Sequence, residues 1–129
     1  MADQPTSITQ VRTVTVPVSD PDRALTFYRD LLGLEVRIDA EFNGGQRWIE
    51  VAPPGAQTTV ALAPPGGVPI GVDTGVRFAT SDAAGDRDAL QGRGADVDAE
   101  ITNWPGVPPM FSLRDPDGNT LYVVENMAP

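Results

Sequence analysis

The chain lacks two residue types that carry much of protein chemistry. It has no cysteine and no histidine, which removes disulfides, thiolate nucleophiles, zinc–sulfur sites, the usual general base and any Ser-His-Asp triad. All nine basic residues are arginine, so Schiff-base chemistry and a phosphate-loop lysine are excluded too. Carboxylate, guanidinium, hydroxyl and aromatic chemistry remain. Trp48 and Glu50 stand two apart in R47-W-I-E50 and therefore share one face of a strand. On a cavity wall they would supply a stacking surface and a carboxyl with a raised pKa, the weak candidate for a catalytic acid or base. In the plainer structural reading Trp48 is core and Glu50 a paired surface acid. Trp104 lies in N103-W-P-G-V-P-P109, too proline-rich for a strand. An aromatic there serves as a lid or ligand contact, or plugs a sheet end or a dimer contact. D115-P-D-G-N119 has the spacing that opens a calcium loop, but Thr120 and Asn126 stand where that loop needs glycine and glutamate. A hairpin turn suits it better.

The elements that must position these residues are readable from periodicity. Residues 1–10 read as a frayed tail. V11-R-T-V-T-V-P-V18 alternates valine with polar residues, a half-buried strand with Val14, Val16 and Val18 on one face and Thr13 and Thr15 on the other. In S19-D-P-D-R-A-L-T-F-Y-R-D-L-L-G33, Asp20 or Ser19 caps a helix, Pro21 opens it and Gly33 ends it. Its apolar stripe is Ala24, Leu25, Phe27, Tyr28, Leu31 and Leu32. Strands are expected at Leu34–Asp39, Arg47–Ala52 and Thr58–Ala63, then a Pro/Gly linker at residues 64–71. The pattern then restarts: strand Val72–Thr80, helix Asp82–Arg93, and strands Asp96–Ile101, Met110–Arg114 and Thr120–Glu125. Both halves run β-α-β-β-β. Ser19-Asp20 lies 62 positions before Ser81-Asp82, Gly33-Leu34 61 before Gly94-Ala95, and Trp48 63 before Phe111. This is an internal duplication. Two such units each expose an apolar sheet face, and pairing them buries it.

At 129 residues, 40% of them hydrophobic, the chain suits one globular domain. No apolar run reaches the length of a membrane span and no leader pattern opens the chain, so a cytoplasmic location is the expectation. A net charge of −9 repels phosphate backbones and argues against nucleic acid.

The helix signature V18-S-D-P-D-R-A-L-T-F-Y-R-D-L-L-G-L-E-V36, the repeat and D115-P-D-G-N119 together resemble the vicinal oxygen chelate superfamily. Its members include glyoxalase I, extradiol dioxygenases, fosfomycin-modifying enzymes and bleomycin-binding resistance proteins. The resemblance covers about residues 11 to 125. It implies an α+β fold, a single domain over 1–129 in which two βαβββ modules (about 11–63 and 72–125) form a curled mixed-sheet cup, the glyoxalase/bleomycin resistance/dioxygenase fold. It implies metal-ligand positions at Thr13, Ala61, Gly75 and Tyr122, none of which is an imidazole or carboxylate, so no metal and no other cofactor is expected. It also places Arg77, two residues after Gly75, on the cup face, where it would need an anionic ligand or an internal partner such as Glu50. Tyr122 would close the former metal site and offer its hydroxyl to ligand or to Arg77. The candidate ligand-binding set is thus Thr13, Trp48, Glu50, Arg77, Trp104, Phe111 and Tyr122. The expected function is metal-independent binding of a small apolar or aromatic molecule, an antibiotic or aromatic metabolite, by a homodimer. Two alternatives stay open: a lyase-, isomerase- or dioxygenase-like enzyme using Glu50, Arg77 and Tyr122 or a weak oxygen-ligated metal, and a collapsed cup filled by Trp48, Phe111 and Tyr122.

Overall fold

A computed structural model describes residues 5–42 and 44–126 of the chain. The first four residues of the expected tail lie outside it; residues 5–10 are exposed and have no regular structure.

Module one contains β1 (Thr13–Pro17), α1 (Pro21–Leu25), β2 (Glu35–Phe42), β3 (Gln46–Ala52) and β4 (Thr59–Ala63). Module two contains β5 (Asp73–Thr80), α2 (Ala83–Gly92), β6 (Asp96–Val97), β7 (Met110–Arg114) and β8 (Thr120–Glu125). Each module makes one four-stranded mixed sheet, ordered β1-β4-β3-β2 and β5-β8-β7-β6, and the two sheets do not close on one another. In each, the first and last strands pair parallel, and the remaining pairs are antiparallel. No helix among the described residues is long and apolar enough to cross a membrane.

The caps stand where the sequence puts them. The Asp20 carboxylate accepts from the amides of Asp22 and Arg23, with Pro21 next in line, and the Asp82 carboxylate accepts from the Gly85 amide. The first helix departs from expectation after Leu25: Thr26–Leu31 is π-helical. A π segment accommodates one extra residue. That extra residue explains why the repeat spacing falls from 62 at the caps to 61 at Gly33 and Gly94. The second correction concerns the strand expected at Asp96–Ile101, which ends at Val97. The Asp98 side chain turns inward to the Ser112 amide at 2.8 Å, and only an isolated Thr102–Met110 bridge follows.

One face of each sheet enters a common core. Val16, Ile49, Val51, Val60 and Leu62 from one sheet, and Phe111, Leu113, Leu121 and Val123 from the other, pack with Leu25, Phe27, Tyr28 and Leu90 of the helical segments. Apolar burial of this kind supplies most of the driving force for folding. The β7–β8 turn is sewn to module one. Asn119 Nδ2 donates to the Pro17 carbonyl at 2.7 Å, and the buried Tyr28 hydroxyl donates to Asp115 at 2.7 Å. Asp117 takes the Ser19 amide at 3.0 Å and Arg23 at 2.9 Å. Because the inner faces meet in this core, the opposite faces turn away from it.

Candidate functional site

Those outer faces carry most of the sequence candidates. Alternation along β1, β3 and β4 places Thr13, Thr15, Trp48, Glu50, Thr59 and Ala61 on the outer face of the first sheet, with Thr15 opposite Ala61 and Glu50 opposite Ala61 on its other side. Along β5, β7 and β8 it places Gly75, Arg77, Ser112 and Tyr122 on the outer face of the second, with Arg77 and Ser112 flanking Tyr122.

On the first face, Glu50 is 2% exposed and saturated with donors. Trp48 Nε1 donates to Oε2 at 2.7 Å, the Thr59 hydroxyl to Oε1 at 2.7 Å, and Arg12 to Oε2 at 3.3 Å. Thr13 Oγ1 lies 2.8 Å from the Thr59 hydroxyl, and Phe42 packs edge-on against Trp48 with ring centres 6.3 Å apart. Burial pushes the Glu50 carboxyl up, but the bonds from Trp48 and Thr59 and the charge of Arg12 outweigh it and hold the pKa below its ordinary value. The expectation of a raised pKa is therefore corrected: three donors fix the ionised form, which suits a polar anchor and not a general base.

On the second face, the Arg77 guanidinium lies 4.4 Å from the centre of the Tyr122 ring, a cation–π contact. The Tyr122 hydroxyl donates to Asp73 at 2.6 Å, and Arg77 donates to the Gly75 carbonyl at 2.9 Å. The Tyr122 bond and the Gly75 amide hold Asp73 below the ordinary carboxylate range, and the same bond to Asp73 pushes the Tyr122 phenol up. The expected alternatives, an Arg77–Glu50 pair or a Tyr122–Arg77 hydrogen bond, are not the arrangement found. Gly75 sits at φ +70° in a stretch where β5 slips register against β8; a side chain there would meet no atom but would be strained by the backbone angle.

The two sets do not converge within one chain: no hydrogen bond among the described residues joins Thr13, Trp48 or Glu50 to Arg77 or Tyr122. A crevice of about 480 Å³ touches the margins of both faces, lined by Thr59 from one and by Gly75 and Arg77 from the other. Trp104 stands 68% exposed on its loop. Phe111 is corrected outright. It is 1% exposed and belongs to the core, because the residues of β7 opposite Tyr122 and Val124 are Ser112 and Met110. Its one-residue offset from them turns its ring inward.

Sequence reasoning missed Arg12 and Thr59 around Glu50, Asp73 beneath Tyr122, and the cluster in which Asp98 receives Ser112 and Arg114. Thr59 was legible, since it lies two residues before Ala61 on the same strand face. The others depend on pairing between distant strands.

The positions implied for metal ligands, Thr13, Ala61, Gly75 and Tyr122, present one aliphatic hydroxyl, a methyl, no side chain and a phenol. That donor set does not fit a divalent transition ion. No group of three or more His, Cys, Asp or Glu side chains suited to a metal occurs among the described residues. The calcium-like turn is likewise committed: Asp115 accepts the amides of Asp117 and Asn119, the Asn119 side-chain amide and the Tyr28 hydroxyl.

The family model of the Glyoxalase/Bleomycin resistance protein/Dioxygenase superfamily matches residues 10–123. The crystal structure of TnmS3, an antibiotic binding protein from Streptomyces sp. CB03234, superposes with a TM-score of 0.84 at 33% identity, covering 95% of this chain and 99% of that one. A superfamily member from Sphaerobacter thermophilus DSM 20745 gives 0.85 at 34% identity, covering 94% and 100%. The uncharacterized protein YetH of Bacillus subtilis (strain 168) is 35% identical over 57 residues, which are 44% of this chain and 48% of that protein, so the match spans less than half of that relative.

Proposed function

The chain belongs to the Glyoxalase/Bleomycin resistance protein/Dioxygenase superfamily, and from that premise we propose that it is a metal-independent small-molecule-binding protein whose ligand is apolar or aromatic. The observation that carries this reading is the donor set at the four implied ligand positions, Thr13, Ala61, Gly75 and Tyr122, in a chain without histidine. Lewis-acid chemistry on a substrate needs a cation held by imidazole or carboxylate, whereas binding by stacking and burial needs aromatic and apolar walls with a few placed polar groups. Trp48 is the stacking wall, Glu50 is the buried anchor that holds its indole N–H, Thr13 adds a hydroxyl, and the Arg77–Tyr122 pair receives an anionic or oxygen-rich group. The likeness to TnmS3, described as antibiotic binding, supports an antibiotic as ligand. The acidic surface adds long-range attraction for any cationic part of it.

The division of the candidates between two outer faces supports a homodimer. A ligand buried on most of its surface needs two walls. An isologous pair can set module one of one copy against module two of the other, bringing Trp48 and Glu50 opposite Arg77 and Tyr122.

The test is a calorimetric screen of aromatic and glycopeptide antibiotics against the wild-type chain and its Trp48→Ala and Arg77→Ala variants. The reading expects a saturable ligand whose affinity falls about tenfold or more in each variant, the loss of one stacking or charged contact. A ligand bound equally by all three proteins would place binding elsewhere.

A further inference from the structure

Module two is emptier than module one beside its helix. Counted from the caps Asp20 and Asp82, the seventh and eighth residues are Phe27 and Tyr28 in one module and Ala89 and Leu90 in the other. In module one the two rings meet edge to face with centres 5.0 Å apart, and the Tyr28 hydroxyl reaches Asp115 in the turn opposite. Opposite the helix of module two the corresponding turn is Pro53-Pro54-Gly55, between β3 and β4 of module one. Against Ala89 and Leu90 lies a cavity of about 240 Å³, walled also by Leu34, Pro53 and Phe78.

Arg93 lies on the rim of that cavity. Of the nine arginines, seven (Arg12, Arg23, Arg29, Arg37, Arg47, Arg87 and Arg114) sit in ion pairs. Among the described residues, Arg77 and Arg93 do not. Arg93 donates one N–H to the Leu31 carbonyl at 2.8 Å, and a guanidinium has further donors in a fork that matches a carboxylate. The one acid lining the cavity, Asp86, receives the Thr80 hydroxyl. It lies two helical turns before Arg93, about 10 Å along the axis, so it faces the far end of a ligand held at Arg93.

We propose that this cavity is a second binding site, for a small aryl carboxylate whose ring takes the place of the rings missing at Ala89 and Leu90 and whose acid group pairs with Arg93. None of Thr13, Trp48, Glu50, Arg77 and Tyr122 lines it, and it does not depend on the reading given to them.

The test is titration of benzoate into the isotope-labelled full chain, followed by amide NMR, with benzylamine as control. The expected result is saturable shifts centred on Ala89, Leu90 and Arg93, weakened about tenfold or more in Arg93→Gln, which loses a charge-assisted pair. Ala89→Phe, which restores one ring to the cavity, should abolish the response. If that variant does not fold, the shift map and Arg93→Gln decide alone. No saturable shift, shifts centred elsewhere, an undiminished response in Arg93→Gln, or a preference for benzylamine would each overturn the proposal.

Discussion

Glu50 shows how a carboxylate's neighbours decide its use. Read as a sequence, R47-W-I-E50 allows either a base or an anchor, because strand alternation gives the shared face but not what lies across it. The structure supplies Thr59 from the neighbouring strand and Arg12 from the entry to β1. Glu50→Gln keeps one acceptor but sets an amide against a donor, and we expect a loss of about 1–3 kcal/mol in folding stability by chemical denaturation. The pH dependence has a definite sign. A carboxyl whose pKa is lower in the folded than in the unfolded chain contributes stability above its unfolded pKa and loses it as pH falls through the folded one. Thermal melting of the wild type should therefore fall below about pH 4, and the difference between wild type and Glu50→Gln should shrink over that range. An unchanged difference down to the acid limit would show that Glu50 is not held ionised. Arg77 belongs to the same scale: its face followed from alternation once Gly75 was placed, but its contact with Tyr122 needed the parallel pairing of β5 with β8.

At the scale of elements, the β7–β8 turn is the joint between modules. The Asn119 side chain alone makes four bonds: it accepts from the amides of Gly71 and Val72 and donates to Pro17 and Asp115. Asn119→Ala should cost about 2–4 kcal/mol, since it leaves the buried Pro17 carbonyl and the partly buried Val72 amide without their partner; urea unfolding measures it. A loss near zero would mean the turn is ornamental to the joint. D115-P-D-G-N119 was legible as a turn from its proline and glycine, yet its role as a joint was not, because Tyr28 and Pro17 lie some 90 to 100 residues earlier. The order of elements and the caps were plain in the sequence. The π segment was written there too, as the slip from 62 to 61 between the cap pair and the glycine pair, but a slip of one residue has that meaning only once both helices are seen. The strand expected to Ile101 failed for a local reason: the Asp98 side chain, hydrogen-bonded to Ser112, ends it.

For the whole molecule, the duplication could be read directly, while the consequence that matters for function could not. Periodicity says that each sheet has an inner and an outer face. It does not say that both inner faces share one core and leave the candidate residues on separate outer faces. From that division follows the expectation that sedimentation equilibrium gives twice the chain mass at micromolar concentration. A charge placed on the outer face, such as Thr15→Glu, should shift the protein toward monomer and weaken ligand binding together. A monomer that binds with undiminished affinity would leave no need for the second copy.

The account rests on binding that needs no cation. The direct measurement is ligand affinity of the untagged protein, by calorimetry, before and after exhaustive treatment with chelator, with the metal content of both samples determined. The account predicts the same affinity in both and no stoichiometric transition metal in either. Stoichiometric zinc, nickel, manganese or iron in the untreated protein, with affinity lost on its removal and regained on its return, would contradict it.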